Sequence, residues 1–342
     1  MARTERRGEP MRRREFITLV GGAATAMSFA AARAQNTTRI RKVGVLTSLL
    51  PDDLEGQSRI RAFAQALQRH GWVEGQNLRT ETRWMGDSAE RSQQYARELV
   101  GLTPEVVLAS TSPCVVALQR VTRDLPIIFA NVIDPVGAGF VASLARPGGN
   151  TTGFIAFEYS ISAKWLELLR ELSPGVKRVA VVRDPVPASG IGQFAAIQTL
   201  ASSSSGLELT AIDPRDPAEL KRALAAFASE RGNSGMIVTA SQPAATHRDL
   251  IASLALQYRL PAVFAFRYYL ANGGLASYGP NNIDIYVGAA DYVDRVLKGE
   301  KPADLPVQAP SRYELVINLR SAKAMGLELP PTLLARADEV IE

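Results

Sequence analysis

Ile127-Ile128-Phe129-Ala130-Asn131-Val132-Ile133-Asp134-Pro135-Val136-Gly137-Ala138-Gly139-Phe140, continuing through Arg146-Pro147-Gly148-Gly149-Asn150 to Gly153, decides how this chain is read. The apolar run after Pro126 has the composition of a strand buried on both faces, as parallel sheets require. It empties into a loop carrying Asn131, Asp134 and Pro135, where a parallel α/β sheet presents its carboxyl-end loops and where ligands bind in such sheets. A short helix is expected over Gly139 to Leu144. The Pro-Gly-Gly-Asn turn residues then break the strand–helix alternation, and a domain crossing is placed there.

The same stretch contains Gly137-Ala138-Gly139-Phe140-Val141-Ala142, which fits the spacing of a dinucleotide fingerprint. That fingerprint needs its first glycine at the strand end, a helix of some length and a following strand. Here Val132 to Val136 intervene and the helix has room for about two turns. A structural turn is therefore the better reading, and no cofactor is assigned.

Outward from this stretch, the N-terminal side opens with Arg12-Arg13-Arg14-Glu15-Phe16-Ile17, a small-residue apolar run over Thr18 to Ala32, and Ala32-Arg33-Ala34. This is the pattern of a secretory signal over 1–34, with the arginine pair of a twin-arginine signal and cleavage expected after Ala34. The run is too short and too rich in Gly, Ala and Thr for a good membrane span. Met11 begins a complete signal by itself, so either methionine serves as the start. Residues 1–34 hold seven arginines and three glutamates, and without them the net charge of +5 falls to +1. The basic character is thus mostly a targeting signal, and nucleic acid is a poor partner. The single cysteine, Cys114, excludes an intrachain disulfide and is expected to pack as a small apolar side chain.

Strands and helices alternate along the rest of the chain. Strands are expected at Arg41 to Leu46, Asn77 to Trp84, Val106 to Ala109 and Ile127 onward, with helices at Gln57 to His70, Ser88 to Gly101 and from Ser112. The pattern restarts at Ala163 and runs through strands at Val179, Glu208, Gly235 and Ala262. The fold class is α/β: two doubly wound parallel-sheet lobes facing a ligand cleft. The expected division is 35–152 with 277–310 for the first lobe, 153–276 for the second, and 311–342 as a C-terminal segment packing on the lobes. The hinge is placed at Asn150 to Gly153 and at Ser277 to Pro280.

Several motifs carry a resemblance. Trp72-Val73-Glu74-Gly75-Gln76-Asn77, Asp134-Pro135-Val136 through Arg146 to Gly153, Gly274-Leu275-Ala276-Ser277-Tyr278-Gly279-Pro280 and Glu314-Leu315-Val316-Ile317-Asn318-Leu319 together resemble the tryptophan/tyrosine-type substrate-binding proteins of ABC transporters. The likeness spans about Arg39 to Glu342. It implies a type I periplasmic-binding-protein fold, a hinged pair of lobes, and delivery of a small solute to an ABC transporter membrane permease; the mature protein is expected to be a periplasmic monomer. The solute is expected to be an amino acid or a related carboxylate.

Candidate ligand contacts lie at strand ends. Ser48 follows the first strand. Ser110, Thr111 and Ser112 precede a helix whose free N–H groups and positive dipole end suit a carboxylate, although a plain N-cap has the same sequence. Asn131 and Asp134 follow the fourth strand; Asp134 either holds an ammonium or satisfies its own turn. From the second lobe come Asp184, Ser241, Phe266, Arg267 and Tyr278. Arg267 either grips a carboxylate or makes a surface ion pair. Many relatives carry an acidic residue near the position of Ser241, which leaves ligand identity open. Tyr268 and Tyr269 are expected to pack the segment before Gly273. His70 and His247 fall on helices, and no G-x-S-x-G, H-E-x-x-H or P-loop is present, so neither a metal nor a catalytic constellation is assigned. The alternatives are an exported nucleotide-cofactor enzyme and the sensing lobes of a transcription regulator, the latter disfavoured by the export signal and by the lack of a DNA-binding helix pair before Val43.

Overall fold

A computed structural model describes residues 40–86, 88–203, 206–230 and 232–342. The expected export signal over 1–34 lies outside the described residues. Valine-rich strands and amphipathic helices alternate as β1 (Arg41–Thr47), α1 (Leu54–Arg69), β2 (Leu78–Trp84), α2 (Ala89–Gly101), β3 (Val106–Ser110), α3 (Ser112–Gln119), β4 (Ile127–Val132) and β5 (Thr151–Ile155). These strands form one five-stranded sheet in the order β2-β1-β3-β4-β5, with every pairing parallel.

The second half repeats the design with α4 (Ser160–Leu172), β6 (Arg178–Val182), α5 (Ala188–Ser202), β7 (Glu208–Ile212), α6 (Pro217–Ser229), β8 (Ser234–Val238), α7 (Gln242–Thr246), α8 (Arg248–Gln257), β9 (Ala262–Phe264) and β10 (Ala276–Pro280). Strands β7-β6-β8-β9-β10 take the same order as the five strands of the first sheet, and all their pairings are parallel. After α9 (Asn282–Leu297), β11 (Tyr313–Asn318) joins β10 antiparallel, α10 (Leu319–Met325) and α11 (Pro331–Leu334) follow, and β12 (Glu339–Ile341) completes a seven-stranded sheet.

Sheet membership draws the division differently from the sequence. Asn150 to Gly153, expected as a hinge, leads into β5 (Thr151–Ile155) of the first sheet. Ser277 to Pro280, expected to return the chain to the first lobe, lies in β10 of the second. The crossings are at Ala156 to Tyr159, between Pro280 and Asn282, and at 309–312. The C-terminal segment supplies two strands of the second sheet rather than a separate cover. The expected helix at Gly139 to Leu144 is a series of turns. There Asp134 accepts from the Gly137 N–H at 2.7 Å, which spends the chain's local hydrogen bonding on an Asx turn instead of a helix.

Packing explains why α9 returns to the first lobe. Tyr286, Ala289, Ala290 and Val293 are buried against Phe63 and Leu67 of α1 and against β1, β3 and β4. Each large side chain so buried contributes about 1.5–3 kcal/mol, which holds this helix to the first sheet although its neighbours in sequence serve the second. The opposite face of that sheet is covered by α2 and α3, with Leu99, Leu118 and Phe129 buried. The second lobe has its own core around Trp165, Leu224 and Phe264. Within β5, Gly153 has φ 153° and a Cβ there would lie 2.1 Å from the Phe129 carbonyl, so β5 approaches β4 more closely than any other residue permits.

Candidate ligand-binding site

In a sheet of order 2-1-3-4-5 the strand connections part on either side of β1 and β3, leaving a crevice at their carboxyl ends. The first lobe places Ser48 after β1 and Thr111 and Ser112 after β3 at this point. The second lobe places Asp184 after β6 and Ser241 after β8 at its own equivalent. The two crevices face each other and enclose a cleft of about 560 Å³. Asn131, Asp134 and Phe266 also line it, so eight of the eleven sequence-selected residues meet in one place.

The first lobe holds its residues in an unusual backbone. Thr111, Asn131 and Asp134 have φ of 91°, 56° and 50°. Asparagine and aspartate tolerate such values, whereas a β-branched threonine does so only when its surroundings enforce it. Thr111 makes no side-chain cap to α3; its hydroxyl instead donates to Ser48 Oγ at 3.0 Å. The start of α3 therefore opens into the cleft uncapped, and so does the start of α5, where Pro187 is the cap residue. By contrast α1, α2, α6 and α9 are closed by Asp53, Ser88, Asp216 and Asn281. Orphan N–H groups at such ends favour an anion.

Asp134 is the negative counterpart. It accepts from the Tyr159 hydroxyl at 2.9 Å, and no cation pairs with it among the described residues. Tyr159 reaches it by lying over Gly192, where a Cβ would come 2.4 Å from the ring. Burial, and then the hydrogen bond to Asp134, push the Tyr159 phenol above its usual range, so it remains a neutral donor. Asn131 Oδ1 is buried with no hydrogen-bond partner.

Three sequence-selected residues stand elsewhere. Ser110 is fully buried and hydrogen-bonds Tyr286, because the last residue of β3 still points into the α9 face. Arg267 turns outward to Glu339 at 2.7 Å and Glu314 at 3.5 Å, the surface ion pair rather than the carboxylate grip. Strand β9 ends at Phe264 and the chain enters a 3₁₀ turn over Arg267–Asn272, which aims the next residue, Tyr268, into the cleft instead. Tyr278 packs on Tyr313 with centroids 5.9 Å apart, inside the second sheet.

Other cleft residues were not read from the sequence. Helix α1 begins at Leu54, three residues before the expected start, because Asp53 caps it by accepting from the Gly56 N–H at 2.9 Å. This brings Glu55 and Arg59 to the cleft as an i,i+4 pair at 2.9 Å. Burial opposes the charge of Arg59, but Glu55 and the Tyr286 and Tyr268 phenols outweigh it and hold the guanidinium firmly protonated. Gln242 and Arg248 come from α7 and α8, whereas the sequence predicts a helix only over Thr246 to Tyr258; Ser241 followed by Gln242-Pro243 is the start signal of the additional α7. Gln242 exchanges two hydrogen bonds with Ser48, accepting from Oγ at 2.8 Å and donating to the carbonyl at 2.9 Å. Arg248 pairs with Asp53 at 2.7 Å. Both contacts join one lobe to the other.

The groups that line the cleft include charged, amide, hydroxyl and aromatic side chains. No histidine lines it among the described residues. Cys114 is buried, and burial pushes its thiol up to about 12, far from a nucleophilic thiolate. The glycine-spaced Gly137 to Ala142 lies in turns with no helix behind it, so it lacks the N-terminus on which a pyrophosphate would sit. Among the described residues there is no cluster of three metal-ligating side chains and no helix long and apolar enough to cross a membrane.

The family model for ABC transporter substrate binding protein matches residues 42–341. A tyrosine-binding protein of Clostridioides difficile is 24% identical over 268 residues, covering 78% of this chain and 76% of that protein. Among solved structures, a conserved domain protein of Vibrio cholerae superposes with a TM-score of 0.81 at 29% identity, covering 88% of this chain and all of the other. An ABC domain from Streptococcus pneumoniae in complex with L-Trp gives 0.80 at 24% identity over the same share of this chain and 100% of its own.

Proposed function

The chain belongs to the ABC transporter substrate-binding protein family, and from that membership we propose that its cleft captures an amino acid with a flat apolar side group, or a closely related carboxylate, for a membrane permease. The observation that carries this reading is the pairing of opposite electrostatics in one cleft: the uncapped start of α3 at Thr111 and Ser112, and the Asp134 carboxylate without a cation beside it. A zwitterion satisfies both. Its carboxylate takes the free N–H groups and the Ser112 hydroxyl, and its ammonium takes Asp134 and the unpartnered Asn131 Oδ1. Phe266 and Tyr268, stacked at 5.4 Å, offer an aromatic wall for the side group. Relatives that bind tyrosine and L-Trp support the same solute class. Each charge-assisted bond contributes about 1.5–3 kcal/mol, so a few of them reach micromolar affinity after ordering costs.

The protein works outside the cytoplasm as a periplasmic monomer, exported through the twin-arginine route and cleaved after Ala34. The Arg13-Arg14 pair and the Ala32-Arg33-Ala34 site support this. Arg13→Lys with Arg14→Lys should block export, and mature protein appearing outside the cytoplasm undiminished would refute the route. For the solute, a thermal-shift screen of amino acids, aromatic acids and nucleosides should raise the melting temperature with aromatic amino acids and not with nucleosides. If only uncharged solutes shift it, the carboxylate seat at Ser112 is wrong.

A further inference from the structure

The cleft is fastened on one side and open on the other. Beside α1 the lobes hold each other through Ser48 with Gln242 and Asp53 with Arg248. Beside α2 and α3 the cleft continues as an arm. Val116, Ala117 and Arg120 form one helical stripe along it, Gln93 of α2 faces them, and Met85 and Phe140 complete the apolar walls. Among the described residues, Gln93, Val116 and Arg120 make no hydrogen bond or ion pair with the second lobe. The eight residues of α3 make the arm about 12 Å long from the Ser112 seat to the level of Arg120. Arg120 is exposed there, and no carboxylate pairs with it among the described residues.

We propose that the solute's side group runs along this arm and ends against Arg120, so that the preferred ligand is an amino acid whose elongated apolar side group carries an anionic distal end. The inference rests on the amino-acid reading given above. A side group seated at Phe266 cannot leave past α1, because Gln242 and Arg248 cross the cleft there. Of the directions left, the arm along Met85, Val116, Ala117 and Phe140 has apolar walls, which suit a ring or a methylene chain, whereas the side of Asp184 and Ser189 is polar. An anionic end that reaches the level of Arg120 comes back into water, where the planar fork of this exposed guanidinium, with no carboxylate paired to it among the described residues, gives it a salt-screened attraction.

The test is calorimetric titration of the mature protein with L-phenylalanine and with its para-carboxylated form, 4-carboxy-L-phenylalanine, for the parent and for Arg120→Gln at low salt. The parent should bind the carboxylated form about fivefold or more tighter than phenylalanine, and the preference should shrink as salt is raised. In Arg120→Gln the preference should vanish while phenylalanine affinity stays within about twofold. Equal or weaker binding of the carboxylated form to the parent, with phenylalanine bound, overturns the arm assignment and leaves the amino-acid reading standing. A preference that survives in Arg120→Gln overturns it too. If neither compound binds, both readings fall together.

Discussion

The first lobe meets the cleft with a constrained backbone, the second with long side chains. Among the described residues five non-glycine residues have positive φ; Thr111, Asn131 and Asp134 sit at the cleft in the first lobe, whereas Arg259, in the second, is away from it. The second lobe contributes Gln242, Arg248, Phe266 and Tyr268, which reach across or stack. Strain of this kind persists where the surroundings over-determine it, and it fixes geometry before a ligand arrives. The difference assigns recognition mainly to the first lobe and closure mainly to the second.

The assignment breaks most visibly at Asp134. Asp134→Asn keeps one acceptor for the Gly137 N–H and turns an amide N–H toward the Tyr159 hydroxyl, which then accepts instead of donating; the charge is lost, so L-phenylalanine affinity should fall by about 10- to 100-fold, one charge-assisted bond. Affinity for 3-phenylpropionate, which lacks the ammonium, should hold. Equal losses for both compounds would show that Asp134 only shapes its loop.

A smaller effect is expected from the second lobe. Gln242→Ala with Arg248→Ala removes the bonds by which the protein closes on itself, which lowers the closed fraction and so weakens apparent affinity by about three- to tenfold. Small-angle scattering of the ligand-free double variant should show a larger radius of gyration than the parent. An unchanged radius would mean that these contacts follow closure without favouring it.

Thr111→Gly sharpens the contrast by separating stability from binding. It relieves about 1–3 kcal/mol of backbone strain and loses about 0.5–1 kcal/mol to glycine's freedom, so the melting temperature should stay at or above the parent's. Ligand affinity should fall all the same, since the start of α3 is no longer held in place. A stable variant with full affinity would remove preorganisation from the account.

The mildest effect concerns the core behind that loop. The folded Cys114 thiol, raised by burial to about 12, holds its proton more strongly than an unfolded cysteine near about 8.5. Its contribution is complete below the unfolded value and declines by about 1.4 kcal/mol per pH unit as pH rises from there toward the folded value. Cys114→Ala should flatten this decline between about pH 8.5 and 10. Chemical denaturation of both proteins over that range measures it.

How much of this was legible in the sequence follows the same contrast. The alternation of buried parallel strands with amphipathic helices was plain, because periodicity records burial, and with it came the doubly wound lobes and eight of the cleft residues. The failures cluster where the chain leaves regular structure. The sequence points to Arg267 over Tyr268 because Ala262 to Phe266 reads as one strand, whereas the strand ends at Phe264 and the 3₁₀ turn that follows rotates neighbouring side chains apart. Glu55 and Arg59 were missed because α1 starts three residues early on the Asp53 cap, a signal present in the sequence but weaker than the apolar stripe that follows it. The crossings could not be placed by turn residues alone. Pro147 to Asn150 mark a turn between two strands of one sheet, and only strand pairing shows which sheet each strand joins.

The most direct test of a ligand held in the crevice between the sheets is titration of L-tyrosine into the parent, into Ser112→Ala with Asp134→Ala, and into Arg267→Ala. The account predicts 1:1 binding near micromolar affinity for the parent, an equal value for Arg267→Ala, whose side chain pairs with Glu314 and Glu339 on the surface, and a loss of about 30-fold or more for the double variant. Undiminished binding by the double variant, or a comparable loss in Arg267→Ala, would contradict it.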